Sequence, residues 1–159
     1  MNIKIGFGVD VHQLVKNREL FIGGVKLPSD FGALGHSDAD VLLHAICDAL
    51  LGALNLRDIG FHFSDKDPKY KGIDSKILLK ETFKLVIEKG FELGNLDATV
   101  ILENPKVNPY IPSMQKIIAD ILQTDQENIS IKATTHEKVD SFGEGKAIKA
   151  YAVCLLVKV

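Results

Sequence analysis

The sequence predicts an α+β sandwich in which one mixed β-sheet carries three main helices on one face, and three observations predict it. Apolar segments of strand length and character (residues 2–9, 96–102, 129–133 and 148–157) interleave with segments of helical period (40–54, 74–89 and 108–122). No internal repeat, low-complexity tract or linker divides the 159 residues, so the chain reads as one domain, 1–159. A chain this long buries about 68 to 70 percent of its unfolded surface, enough for a real core. Three helices are too few to cover both faces of so long a sheet, so the second face is expected to pack on copies of the same chain.

Taken in order, residues 2–9 alternate Ile3, Ile5 and Phe7 as a strand, and residues 20–27 form a hairpin whose Gly23-Gly24 pair permits a tight turn. The helix over 40–54 is apolar almost all round and must be buried. Ser37 is its expected N-cap, which aims the positive end of the helix dipole at the loop holding His36, a place for an anion. Residues 56–73 have no period and many turn formers; loops of that length are uncommon and often functional. Asp74 caps a second helix ending at Gly90, with Ile77, Leu78, Phe83, Leu85, Val86 and Ile87 as core candidates. The strand at 96–102 stops at Asn104-Pro105, and Asn108-Pro109 opens a third helix with an apolar stripe from Ile111 to Leu122. Thr124 to Glu127 resembles a capping box for a single turn before the strand at 129–133, and 148–157 is the last strand.

The composition narrows the function. Net charge is −2 and 46% of residues are hydrophobic, with charges of both signs interspersed, which argues against a nucleic-acid binder or a polybasic membrane surface. There is no signal-peptide pattern, and the longest apolar stretch, 152–157, is too short to span a bilayer. Cys47 and Cys154 read as core thiols of a reducing compartment, so a cytoplasmic protein is expected. A polyphosphate ligand would have to be met locally, by metal ions, a few lysines and helix amino termini.

The chemistry begins with polar residues in the buried helix. His44 and Asp48 share one face at i, i+4 and need partners, since an unpaired buried polar group costs roughly 1 to 3 kcal/mol. Asp10 and His12 point the same way from an extended segment. One carboxylate and two imidazoles suit a zinc ion with one position open, and Asp48 is placed to orient His44 from behind. Spacing alone leaves the alternatives open: a satisfied core histidine at position 44, and an ordinary helix cap beside an exposed His36.

The run Gly8-Val9-Asp10-Val11-His12, the pair Gly23-Gly24, the run His36-Ser37-Asp38-Ala39-Asp40 and the run Lys132 to Lys138 together resemble the 2-C-methyl-D-erythritol 2,4-cyclodiphosphate synthases of the non-mevalonate isoprenoid pathway, along nearly the whole chain. The resemblance implies a phosphorus-oxygen lyase that turns 4-diphosphocytidyl-2-C-methyl-D-erythritol 2-phosphate into the cyclic diphosphate and CMP. It also implies a homotrimer with its sheets turned inward and its active sites between subunits. Asp10, His12 and His44 would hold one zinc per subunit on the diphosphate, and Glu137 would help hold magnesium or manganese arriving with the substrate. His36 and Thr135 would position the reacting phosphate with support from Ser37. Asp58, Ile59 and Gly60, with Lys106, Ala133 and Thr134, match cytidine-binding positions, and Phe63, Ser64, Asp65, Lys66 and Asp67 match the loop over the methylerythritol part.

No nucleophile elbow, Walker loop or Cys-x-x-Cys appears in the sequence. That suits substrate-assisted chemistry, in which the 2-phosphate attacks the β-phosphorus and the protein positions and neutralises. Two other readings keep parts of the same site: a zinc phosphoesterase using water, and a non-enzymatic trimer that binds isoprenoid diphosphates. One departure stands out. After Lys138 the chain reaches Gly143-Glu144-Gly145 two residues sooner than the family pattern, and without its arginine. Isoprenoid diphosphates are therefore expected to bind weakly in a central cavity, with Lys138 and Lys146 as the nearby cations.

Overall fold

The computed structural model describes residues 2–159. Its main sheet has five strands, β1 (Ile3–Lys16), β4 (Phe31–Ala33), β5 (Phe91–Ile101), β6 (Ile129–Thr134) and β7 (Ala147–Lys158), in the order β4-β1-β7-β5-β6. The β5–β6 pair is parallel and the other neighbours are antiparallel, so the sheet is mixed. Strands β2 (Leu20–Ile22) and β3 (Val25–Leu27) form a separate hairpin. Three helices, α1 (Val41–Ala53), α3 (Ser75–Glu88) and α4 (Ile111–Ile121), cover one face, and two short ones, α2 (Ile59–His62) and α5 (Asp140–Gly143), sit in loops.

What positions the site is the contact between α1 and β1. On the helix-facing side of β1, Gly6 and Gly8 carry no side chain; a Cβ there would come within 1.8 Å of the Ala49 carbonyl oxygen and 1.9 Å of that of Ala45. Across the register, Cys154 faces Gly6, Ala152 faces Gly8 and Ala150 faces Asp10, and all three partners are fully buried. The helix backbone therefore lies directly on the sheet. Where the glycines end, the same side of the strand presents Asp10 and then His12. His44 comes from the first turn of α1 just above them.

The opposite face of the sheet is apolar and bare. Ile5 is 67% and Phe7 60% exposed, and Val9, Val11 and Val153 also face outward. Phe7 stacks on Tyr151 with ring centroids 6.0 Å apart.

Several local readings change. The N-cap of α1 is Asp40, not Ser37: Ala39 takes a left-handed φ of 57°, which delays the helix to Val41. The Asp40 carboxylate accepts from the N–H groups of Leu43 at 3.0 Å, Gly23 at 2.9 Å and Gly24 at 2.7 Å, so it ties the hairpin turn to the helix. Ser37 Oγ accepts from Ala39 N–H instead. β1 runs on to Lys16 and pairs with β4, a strand not foreseen, because polar residues after Val11 hide the period. The loop at 56–73 contains α2 and a 3-10 turn, Pro68–Tyr70. In α3 the buried stripe is Ser75, Leu78, Leu79, Thr82, Phe83 and Val86, which leaves Ile77 and Ile87 on the exposed side. No capping box forms at Thr124: its Oγ1 accepts from Asn128 Nδ2, and Asp125 caps nothing with its side chain. Asp74 does cap α3, accepting from Lys76 N–H. Both cysteines are buried and unpaired, and burial pushes Cys47 up to about 12 and Cys154 up to about 11, as unreactive core thiols require.

A candidate metal centre and two separate clefts

Asp10 Oδ2, His12 Nε2 and His44 Nδ1 form a triangle with edges of 2.7 Å (Asp10–His12), 3.1 Å (Asp10–His44) and 3.3 Å (His12–His44). Among the described residues this is the one cluster of His, Cys, Asp and Glu that could hold a metal ion. The far side of each imidazole is occupied. His12 Nδ1–H donates to the Leu34 carbonyl at 2.8 Å, and His44 Nε2–H donates to Ser75 Oγ at 2.8 Å, with Ser37 Oγ at 3.2 Å. The inner nitrogen of each ring hydrogen-bonds Asp10, and a metal ion that displaced those protons would meet a lone pair from each ring. Ligands of a tetrahedral zinc with bonds of about 2.0 to 2.1 Å stand roughly 3.3 Å apart, so a small divalent cation fits after slight spreading of the triangle.

Burial alone would raise the Asp10 carboxyl, but hydrogen bonds from His12 and His44 and their charges outweigh it and hold it below the ordinary value. Burial pulls His12 down, and Asp10, through its hydrogen bond and its charge, more than reverses that, with the Leu34 carbonyl adding to the rise. The carboxylate stays ionised where a cation's charge is needed.

The triangle floors a cleft of about 390 Å³ whose walls include the predicted residues His36, Ser37, Ile59, Gly60, Phe63 and Asp65. The His36 loop is held from both sides: Arg18 donates to the carbonyls of Gly35 at 2.9 Å and Ser37 at 2.7 Å, and His36 Nε2–H donates to the Asp67 carbonyl. Asp58 occupies the N-cap position of α2 but makes no cap bond. Ser64 and Asp67 serve local turns, accepting from Lys66 N–H and Lys69 N–H, and Lys66 is exposed.

Lys106, Ala133, Thr134 and Thr135 line a different, smaller cleft of about 110 Å³ at the ends of β5 and β6. Glu137 follows in a left-handed conformation, φ 51°, and Lys138 has φ 61°. Glu103 holds this turn by accepting from His136 N–H at 3.2 Å and Lys138 N–H at 3.1 Å. Thr135 Oγ1 accepts from Glu137 N–H at 3.1 Å and donates to its carboxylate at 3.3 Å. The register takes His12 to Ile148 and, one residue on, Lys149 through Ile101 to Thr134, so the two clefts lie at one end of the sheet, three strands apart. At 4.7 to 4.9 Å per strand that is about 14 Å. Within one chain, the predicted substrate residues do not converge. Two larger surface depressions, about 770 and 990 Å³, hold none of the predicted residues.

Asp48 does not orient His44. Its Oδ1 accepts from Ile59 N–H at 2.7 Å, and the His44 nitrogen behind the triangle is taken by Ser75. Sequence reasoning missed Ser75, which looks like an ordinary first residue of a capped helix, and Arg18 and Glu103, which act on backbone far away in sequence. The cation beside Phe142 is Lys149, with Nζ 4.9 Å from that ring and 5.3 Å from Tyr151, whereas Lys146 pairs with Glu144.

The profile of the YgbB family matches residues 3–157. A 2-C-methyl-D-erythritol 2,4-cyclodiphosphate synthase of Parabacteroides distasonis is 59% identical over 156 residues, 98% of this chain and 97% of that protein. The IspF of Plasmodium falciparum, solved as a CDP complex, superposes with a TM-score of 0.87 at 38% identity, over 99% of this chain and 97% of that one. The bifunctional IspDF of Campylobacter jejuni superposes with a TM-score of 0.95 at 39% identity; this chain is matched over 99% of its length and spans 42% of that larger protein. A triangle on β1 able to hold a metal ion, the glycine-seated helix above it and full-length similarity agree, and the chain is a member of the YgbB family of synthases, and hence an enzyme.

Proposed function

We infer that the chain converts 4-diphosphocytidyl-2-C-methyl-D-erythritol 2-phosphate into 2-C-methyl-D-erythritol 2,4-cyclodiphosphate and CMP, by intramolecular phosphoryl transfer in the manner of a phosphorus-oxygen lyase. The observation that carries the reading is the triangle of Asp10, His12 and His44, with both far nitrogens occupied, on the floor of a cleft in a chain 59% identical to a named synthase. A zinc ion held by these three residues, and a magnesium or manganese ion arriving with the substrate at Glu137, would supply positive charge to the diphosphate oxygens. His36 is fixed by its own bond to Asp67 and by Arg18 on the flanking carbonyls, which would hold its ring and the Ser37 hydroxyl beside the reacting phosphate. Thr135 would meet the same phosphate from the other cleft. Asp58, Ile59 and Gly60 would take one side of the cytidine, the free Asp58 carboxylate suiting ribose hydroxyls, and Lys106, Ala133 and Thr134 the other. Phe63 to Asp67 would close over the methylerythritol. No covalent nucleophile is needed, because the folded substrate brings its own phosphate to the β-phosphorus; positioning of this kind is worth several kcal/mol.

The assembly proposed is a homotrimer with inward sheets. Two observations support it: the clefts that must act together lie about 14 Å apart in one chain, and the face bearing Ile5, Phe7, Val9 and Val11 is apolar and open. A neighbour's Lys106 cleft set against this chain's metal cleft would complete each site. A cytoplasmic location fits the two unpaired thiols. No described helix is long and apolar enough to cross a membrane.

Phosphorus NMR of the purified protein with the cytidyl substrate tests the activity. Equimolar CMP and cyclic diphosphate are expected; inorganic phosphate, or CMP with the open-chain 2,4-bisphosphate, would make the protein a water-using phosphoesterase instead.

A further inference from the structure

We propose that Ser75, anchored by Asp38, is the positioning residue that orients His44 for metal binding. The inference rests on the metal reading above and deepens it. His44 sits in the first turn of α1 and Ser75 is the first residue of α3, so the contact joins two helices behind the triangle. Ser75 is fully buried and its Oγ lies 2.8 Å from His44 Nε2. A serine hydroxyl that accepts from an imidazole N–H still has its own proton to place, and that proton goes to Asp38 Oδ1 in a short hydrogen bond. Asp38 Oδ2 accepts from the Ser75 backbone N–H at 2.9 Å, so the carboxylate grips the serine at two points. Asp38 is itself held, its Oδ1 accepting from Asp40 N–H at 3.1 Å.

The order runs one way: His44 Nε2–H to Ser75 Oγ, then Ser75 Oγ–H to Asp38. The arrangement fixes the tautomer. With Nε2–H committed to Ser75, it is Nδ1, beside Asp10 and His12, that is left to give a lone pair to a metal ion. It also fixes ring rotation, because Ser75 is immobilised at both its backbone and its side chain. Ser37 Oγ is a weaker substitute at 3.2 Å, and it is already accepting from Ala39 N–H.

The test measures zinc affinity of the purified full-length protein by competition with a chromophoric chelator, alongside thermal unfolding of the zinc-free protein. Ser75→Ala should raise the zinc Kd by about 10- to 100-fold, the usual effect of losing a partner behind a metal-bound histidine, while the zinc-free protein still unfolds cooperatively. Loss of thermal stability with an unchanged zinc Kd would overturn the proposal, since that is what a merely structural serine would give. Should Ser75→Ala fail to fold, Asp38→Asn carries the same test: it keeps an acceptor for Ser75 and removes the charge, so a weaker zinc Kd supports the proposal and an unchanged one overturns it. His44→Ala separates this from the underlying reading. Wild-type protein that binds no zinc, or a His44→Ala protein that keeps it, overturns the metal site and this inference together. Zinc lost in His44→Ala but fully retained in Ser75→Ala overturns the inference alone.

Discussion

In the cleft over β1, the groups behind the metal donors have partners before any ligand arrives: Leu34 holds His12, Ser75 holds His44, and Arg18 brackets His36. In the cleft at β6, the groups expected to meet the phosphates are at or near the surface, and Glu137 and Lys138 take left-handed backbones steadied from outside the turn by Glu103 on the backbone and Asp140 on the His136 ring. One half is preorganised by burial, the other by local backbone geometry. Under the proposed function, the difference follows from what each half would bind. A metal ion repays rigid geometry, because its ligands must converge to within a few tenths of an ångström, whereas phosphates and a cytidine would be gathered by groups that settle as the ligand and a neighbouring subunit close over them.

The sharpest way to break that comparison is to separate the halves genetically. His44→Ala should lower activity by about 10³-fold through loss of the several kcal/mol that the metal supplies, and Glu137→Ala should also be nearly inactive. If each working site takes its metal half from one subunit and its β6 half from the next, denaturing and refolding the two variants together at equal amounts should restore about a quarter of wild-type activity, since each half is intact in half of the chains. No recovery on mixing would place both halves in one chain.

Phe7→Asp asks whether the halves meet through the bare sheet face. A carboxylate buried there costs several kcal/mol per subunit, so sedimentation should report dissociation and activity should fall about 100-fold. Zinc content per chain should stay near wild type, because Phe7 points away from the face that carries Asp10 and His12. Zinc loss in step with dissociation would mean that the metal half is not self-sufficient.

Asp40→Asn should damage the rigid half from within. The carboxylate accepts three N–H groups, from Gly23, Gly24 and Leu43, and an amide turns an N–H donor toward one of them. The loss should be about 2 to 4 kcal/mol in denaturant unfolding of the zinc-free protein, with the hairpin turn and the start of α1 exchanging amide protons faster.

Much of this was legible before any coordinates. The periods of α3 and α4 and the hairpin at Gly23-Gly24 follow from residue spacing, since helix and strand periods report burial directly. Spacing named the three residues of the triangle but left a core histidine open until the family resemblance, and the bare second face was expected from the small number of helices. The N-cap of α1 was not, because Ser37, Asp38 and Asp40 are all capping residues and the choice among them depends on the turn at Ala39. Nor was the separation of the two clefts, which depends on strand order rather than on any local pattern. The partner of His44 was missed for a related reason: i, i+4 spacing proposes neighbours on one helix, and here a second helix supplies the contact.

Asp48 gives the smallest effect and the finest discrimination. It stands one turn after His44, yet its carboxylate accepts from the N–H of Ile59, the first residue of α2, and so ties the Asp58-Ile59-Gly60 segment to α1. Burial pushes the Asp48 carboxyl up; the Ile59 hydrogen bond opposes this, and the nearby charges of Asp58 and Asp10 add to the rise. An asparagine oxygen can still accept from the Ile59 N–H. Asp48→Asn should therefore leave zinc affinity and stability close to wild type. Asp48→Ala removes the acceptor and should cost about 1 kcal/mol of stability. It should also weaken CDP binding several-fold in calorimetry, because the segment proposed to face the cytidine is no longer tethered, and should again leave the zinc Kd unchanged. A ten-fold weaker zinc Kd in Asp48→Asn would return Asp48 to the role of orienting His44 and would mean that the rigidity of the metal half reaches further along α1 than the Ser75 contact.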